Sequence, residues 1–329
     1  MFMQKRLFCF FMVLLAAATA VSGQARGEDR LKVGLVLGGG GAKGAAHVGV
    51  LKAIEEAGIP VDFIAGTSIG AIVGGLYCCG YRSADIEQLF LGQEWATLLS
   101  DRNDEHRGEA IKTVDGVTYV FGYPVHGQQR QEGSHPRSPS VGLLRGEAVV
   151  ELLDSLTGRR DSISFDELPI PFRCVAVDVK TQSEVVLGSG RLPVAMRASM
   201  AIPGAFKPVR MGEWLLVDGG VLNNLPVDVV KAMGADIVIA VDLTQNKHKT
   251  RNFSLKEVLG IGGTLDWLVS RPDWKRYNEN CKAADIYINP RLDFSATDFK
   301  VECIREMIAG GKEEGGRKLK RWKGEKVER

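Results

Sequence analysis

From residue 31 onward, short apolar runs alternate with stretches whose apolar positions recur at helical spacing. That order predicts an α/β protein with a largely parallel sheet covered on both faces. Lys32–Leu37 (KVGLVL) predicts the first strand, Gly38–Gly44 a glycine loop, and Ala45–Ala57 a helix that Gly58 ends. Val61–Ala65 predicts a second short strand, which runs through Gly66-Thr67-Ser68-Ile69-Gly70 into a helical stretch over Ala71–Cys79. Further strands are expected over Phe172–Val177, Glu184–Leu187, Trp214–Val217, Ile237–Val241 and Ile286–Ile288. Between them, Tyr123–Ser140 is polar and rich in Gly, Pro and Ser, so it reads as a loop or flap. There is no internal repeat.

The first residues depart from this pattern. Met1–Arg6 is positively charged, Leu7–Ala18 is an uncharged apolar run, and Ala18-Thr19-Ala20 supplies small residues for cleavage. A secretory signal peptide is expected over 1–20, with an alternative cut after Ala25, and the protein is expected to be periplasmic, outer-membrane-associated or secreted. An anchor is disfavoured because the apolar run is shorter than the ~20 residues that span a bilayer. Of 42 basic residues against 40 acidic ones, Lys5 and Arg6 are the only charges in the first 20 positions. Their removal balances the remainder, which argues against nucleic acid as a partner. At 45% hydrophobic and 25% charged over 329 residues, neither disorder nor a disulfide miniprotein fits.

Six cysteines and five histidines are scattered, no pair having zinc-ligand spacing, so a metal site is not expected, and no cofactor is implied elsewhere in the chain. Cys78 and Cys79 fall in a helix that reads as buried. Lys312–Arg329 carries eight basic and four acidic residues around Leu319 and Trp322. This basic tail fits an anionic membrane surface or, more commonly for charge runs, a solvated terminal helix.

Two glycine-rich segments carry candidate chemistry. Gly66-Thr67-Ser68-Ile69-Gly70 fits G-x-S-x-G between a strand and a helix, the context of a nucleophile elbow. Such a turn holds serine in a strained conformation with Oγ exposed, and it needs glycine on both sides. Gly38-Gly39-Gly40-Gly41-Ala42-Lys43-Gly44 admits three readings. A phosphate loop lacks its Ser/Thr, since Gly44 follows Lys43. A dinucleotide fingerprint would draw on Asp62, which lies at the start rather than the end of its strand. The third reading is an oxyanion hole of backbone N–H groups beside Ser68. For a base, none of His47, His106, His126, His135 and His248 ends a strand, whereas Asp178, Asp218 and Asp242 each follow one. Spacing alone leaves these three aspartates open, a turn or cap being the commoner role.

The sequence Gly-Gly-Gly-Gly-Ala-Lys-Gly, then Gly-Thr-Ser-Ile-Gly, then Asp-Gly-Gly resembles the patatin-like phospholipase family, particularly its bacterial members. The resemblance continues through Arg197–Gly204 (RASMAIPG) and Asp218–Pro226 (DGGVLNNLP) and spans roughly residues 31–311, leaving 312–329 as the tail. It implies a three-layer α/β/α fold with a mainly parallel sheet and a lipid acyl hydrolase working in lipid catabolism through a Ser–Asp dyad. By motif, Ser68 is the nucleophile, Asp218 the proton acceptor, and Gly39, Gly40 and Gly41 the oxyanion loop. Gly66, Gly70, Gly219 and Gly220 support the elbow and the turn. The implied partner is a phospholipid or other acyl ester, with a membrane surface as its source. The same dyad would serve a broad esterase or thioesterase, and the basic tail would suit a catalytically idle lipid-binding protein. Two features depart from the family pattern: Leu37 and Lys43 stand where members often have Asp and Arg, and the 123–140 segment matches nothing assignable.

Overall fold

The computed structural model describes residues 30–99, 113–114, 117–118, 144–158, 162–244 and 274–327. The expected signal segment, the 123–140 segment and His106, His126, His135 and His248 lie outside them. The first strand, β1 (Val33–Leu37), leads through the glycine loop into α1 (Ala45–Glu56), then β2 (Phe63–Thr67) and α2 (Ile69–Cys78). After them come β3 (Phe172–Asp178), β4 (Ser183–Leu187), α3 (Leu192–Ser199), β5 (Val209–Met211) and β6 (Trp214–Asp218). The chain continues as α4 (Val227–Ala232), β7 (Ile237–Val241), α5 (Trp274–Ala283), β8 (Ile286–Ile288) and α6 (Val301–Val327).

Strands β8, β7, β1, β2 and β3 lie side by side and parallel, and β4, β5 and β6 add antiparallel pairings at one end. The strands alternate their side chains between two apolar cores, as the two-residue period of a pleated strand requires. Leu35, Leu37, Ile64 and Leu216 face the layer of α1, α2 and α6. Val36, Ala65, Val175 and Val238 face Val227, Val230 and Tyr277 of α4 and α5. This is the expected three-layer α/β/α arrangement with a mainly parallel sheet.

Two boundaries that differ from expectation bear on the site. Strand β2 begins at Phe63, because Asp62 is engaged before it: its N–H donates to Val33 O at 2.7 Å and its Oδ2 accepts from Val33 N at 2.8 Å. Asp62 therefore staples the start of the sheet, far from any ribose-binding position. Helix α2 begins at Ile69 rather than Ala71, directly against Ser68.

The basic terminal segment from Lys312 is the second half of α6 and not a separate tail. It packs along α1, with Leu319 buried and Trp322 against the main core. The approach is close because both helices carry glycine at the contact. A Cβ on Gly49 would stand 2.0 Å from Ile308 O, and one on Gly311 would stand 2.1 Å from Ala46 O.

Candidate active site

The route by which Ser68 meets Asp218 follows from the pairing of β3. A strand has two edges. Strand β4 occupies one of them over Cys174–Asp178. Strand β2 pairs with Phe172–Val175 and β6 with Ala176–Asp178, so both share the other edge. They run toward each other, and their last residues, Thr67 and Asp218, stand opposite the consecutive positions Val175 and Ala176. Each chain must then turn away sharply. Beyond Thr67 the chain enters α2, and beyond Asp218 it enters a single helical turn over Gly219–Val221.

The turns explain the glycines around them. A Cβ on Gly66 would lie 2.5 Å from Gly70 O, one on Gly70 would lie 2.1 Å from Leu37 O, and one on Gly219 would lie 2.3 Å from Val175 O. All three neighbours are backbone, which cannot give way cheaply. Ser68 itself has φ 55° and ψ −125°, a left-handed conformation that costs an L-residue on the order of 1–3 kcal/mol. The positive end of α2 abuts it.

Asp218 is 1% exposed. Its Oδ1 accepts the Gly220 N–H at 2.7 Å, while its buried Oδ2 accepts no hydrogen bond from the described residues. Burial raises its pKa to about 6, against smaller opposing effects of the Gly220 N–H and the neighbouring Ser68 hydroxyl. With Oδ2 unpartnered, that hydroxyl acts on the carboxylate without a fully formed hydrogen bond. The result is a carboxylate with one oxygen anchored and one available for a proton.

The glycine loop lies against Ser68, a Cβ on Gly39 standing 3.1 Å from Ser68 Cβ and 2.4 Å from Asn224 Oδ1. Its three glycines differ in what their N–H groups do. Gly39 N–H donates to Asn224 O at 3.3 Å, so it helps to anchor the loop, whereas Gly40 and Gly41 have no acceptor among the described residues. Gly38 N–H donates to Val241 O at 3.0 Å, and the Asn224 side-chain amide reaches Gly39 O at 3.4 Å. Lys43 is buried within the turn that follows.

The other candidate residues are occupied. His47 is buried in α1 and bonds Gly38 O through Nε2 at 2.8 Å; burial pulls its pKa down to about 4, so the neutral ring donates that proton. Asp178 accepts from Leu215 N at 2.9 Å and from Thr181, holding a turn, and the Leu215 N–H is the main reason its pKa lies below the usual carboxylate range. Asp242 is fully buried, taking hydroxyl hydrogen bonds from Tyr277 and Tyr287 and the Thr244 N–H at 2.8 Å. Among the described residues no cluster of three or more His, Cys, Asp or Glu could hold a metal ion.

Several supporting groups carried no signal of their role in the sequence. Thr67 Oγ1 donates to Asn223 O at 2.9 Å, tying the elbow to the loop beyond β6. The Asn223 amide donates to Asp228 at 3.0 Å, and Asp228 is also bonded by Arg276. Ser199, at the end of α3, touches the elbow directly: its Oγ accepts the Ser68 N–H at 2.9 Å and donates to Val175 O at 2.6 Å. Three of these residues fall within the motifs quoted above, but the contacts that reach the elbow, Thr67 to Asn223 and Ser68 to Ser199, join positions more than 100 residues apart.

Comparison with known proteins places this chain in a family. The sequence model described as patatin-like phospholipase matches residues 35–231, more than half of the chain. An uncharacterized NTE family protein of Mycobacterium tuberculosis is 33% identical over 218 residues, which is 66% of this chain and 51% of that one. Patatin-like phospholipase domain-containing protein 6 of Homo sapiens is 31% identical over 284 residues, 84% of this chain and 17% of that protein. The chain thus spans about half the length of the mycobacterial relative and a smaller share of the human one. The solved structure of VipD from Legionella pneumophila covers 88% of this chain and 67% of its own, at 15% identity and a TM-score of 0.49.

Proposed function

The chain belongs to the patatin-like phospholipase family, and from that premise we propose that it is a lipid acyl hydrolase in which Ser68 and Asp218 form a catalytic dyad. The observation that carries the reading is the meeting of a strained serine with a buried, half-anchored carboxylate whose pKa is raised to about 6. A carboxylate at the ordinary value near ~3.9 is a weak base at neutral pH. Raised to about 6, it remains mostly ionised at pH 7.5 yet binds a proton far more readily.

In this mechanism Ser68 Oγ attacks the acyl carbonyl while Asp218 takes the hydroxyl proton. The N–H groups of Gly40 and Gly41 hold the oxyanion, and Gly39 keeps the loop in place through Asn224. Collapse of the tetrahedral intermediate expels the alcohol portion of the lipid, which receives the proton from Asp218. Water, deprotonated by the same carboxylate, then releases the fatty acid from the acyl-enzyme. No step calls on a cofactor. Phospholipids or lysophospholipids are the substrates we favour, taken from a membrane surface in lipid catabolism. Export directed by residues 1–20 belongs to the same reading and rests on the sequence.

The test is product analysis. Purified protein incubated with mixed phospholipids should release free fatty acid detectable by mass spectrometry, and the Ser68→Ala protein should release none. Equal release by both would remove Ser68 from the mechanism, and release only from short soluble esters would favour a general esterase.

A further inference from the structure

Strands β2 and β3 pair in parallel, with Ile64 N–H donating to Pro171 O at 3.0 Å. Parallel ladders repeat evenly, two residues on each strand per step. Two steps on, the next bond of this series would run from Ser68 N–H to Val175 O. It does not form. The Ser199 hydroxyl stands between the two groups, accepting from Ser68 N at 2.9 Å and donating to Val175 O at 2.6 Å. Ser199 is fully buried, so no water is on hand to satisfy either group in its place.

The geometry points to Ser199 as the positioning residue of the nucleophile. Spliced into the ladder, its hydroxyl lets Ser68 leave the sheet and adopt φ 55° while both severed backbone groups stay satisfied. Val175 is also the residue opposite which β2 ends, next to the Ala176 that faces Asp218. The hydroxyl therefore fixes Ser68 against the same stretch of β3 that sets the height of the carboxylate. Without it, the Ser68 N–H and the Val175 carbonyl are both left without a partner, which loosens the elbow and misplaces Oγ. Turnover falls while the substrate-binding surface is untouched.

This inference rests on the hydrolase reading for its catalytic consequence, though not for its structural one, and the experiment separates them. Ser199→Ala and Ser199→Thr would be compared with wild type in two measurements: steady-state hydrolysis of a soluble p-nitrophenyl ester, and hydrogen–deuterium exchange of the Ser68 amide. Folded Ser199→Ala should lose at least tenfold in kcat with KM within twofold, and its Ser68 amide should exchange at least tenfold faster. Ser199→Thr, which keeps the hydroxyl, should recover most of both. A folded Ser199→Ala protein with kcat within twofold of wild type, or with unchanged exchange, would overturn the assignment. If Ser199→Ala does not fold, Ser199→Thr decides: kcat within threefold of wild type supports the role, and a folded but inactive protein refutes it, as does failure of both to fold. Should wild type hydrolyse no ester at all, the hydrolase reading fails, and the exchange measurement alone still accepts or rejects the spliced hydroxyl.

Discussion

Replacing the buried carboxylate by its neutral isostere, Asp218→Asn, should make the protein more stable while it destroys activity. Asparagine keeps an oxygen to accept the Gly220 N–H and removes the charge that burial opposes. The native pKa of Asp218, about 6, lies above the ordinary aspartate value of 3.8, so the folded protein binds this proton more tightly than the unfolded chain does. Stability from this group is therefore lowest above pH 6, where both states are ionised, and rises as pH falls and the native carboxyl takes up its proton. A shift of about two units at about 1.36 kcal/mol per unit gives a penalty of about 3 kcal/mol at pH 8, of which roughly two-thirds is recovered by pH 4.5. Asp218→Asn should accordingly melt roughly 5 °C above wild type at pH 8, with the gap mostly closed at pH 4.5. The comparison must be between variant and wild type, because His47 acts in the opposite sense over the same range. Its pKa is lowered from 6.5 to about 4, so its contribution is complete above pH 6.5 and is lost as pH falls toward 4. Paired thermal melts at the two pH values are the assay. A gap that is absent at pH 8, reversed in sign, or equal at both values would refute the charged, buried base.

The same titration should appear in the rate: kcat/KM on a soluble ester should rise with pH through a midpoint near 6, because the base acts ionised. A midpoint above 8 would point to a different group. Ser68→Ala should abolish both turnover and fluorophosphonate labelling, and Ser68→Gly should in addition raise stability by about 1 kcal/mol in urea unfolding, since glycine adopts φ 55° without strain. Gly40→Ala would set a Cβ 2.8 Å from Leu243 Cδ1 and 2.9 Å from its Cβ, and displacing one oxyanion donor should reduce kcat by about 10²-fold or more. An unchanged kcat in a folded Gly40→Ala protein would remove the loop from the oxyanion site. His47→Gln should cost stability far more than turnover, because His47 bonds Gly38 O and does not reach the dyad; single-turnover acylation would expose a catalytic histidine if it fell as far as in Ser68→Ala.

Local patterns carried most of the sheet. Strand β7 over Ile237–Val241 and β8 over Ile286–Ile288 fall where their apolar runs end, because each run is bounded by polar residues. Ser68 was legible for a similar reason, glycines standing two residues to either side of it where a sharp turn from strand to helix needs them. Asp218 was not separable by spacing from Asp178 and Asp242, whose fates depend on Leu215, Thr181, Tyr277 and Tyr287, partners that no local window contains. The route by which Asp218 arrives is also invisible in a local window, since β6 is antiparallel and descends toward β2 along β3. Charge misled at the end of the chain. The lysines from Lys312 onward suggest a solvated segment, yet Leu319 and the glycines at 311 and 315 turn a face of α6 inward against α1.

Strand β3 acts as a ruler on which the ends of β2 and β6, and with them Ser68 and Asp218, are two adjacent marks. Its graduations are the ~3.3 Å rise of extended backbone, so the separation of Ser68 and Asp218 changes in steps and not continuously. Shortening β6 by one residue would turn the last side chain to the opposite face of the sheet, into the core beside Val175 and Leu225. Shortening it by two would restore the face but withdraw the carboxylate by ~7 Å, out of reach of the hydroxyl. Under the proposed dyad, the stretch of β6 from Leu216 to Asp218, which pairs with Asp178–Ala176, is thus held to a fixed length by what its far end must reach. Length variation in this part of the molecule has room only outside β6, before Val209 or beyond the turn at Gly219–Val221.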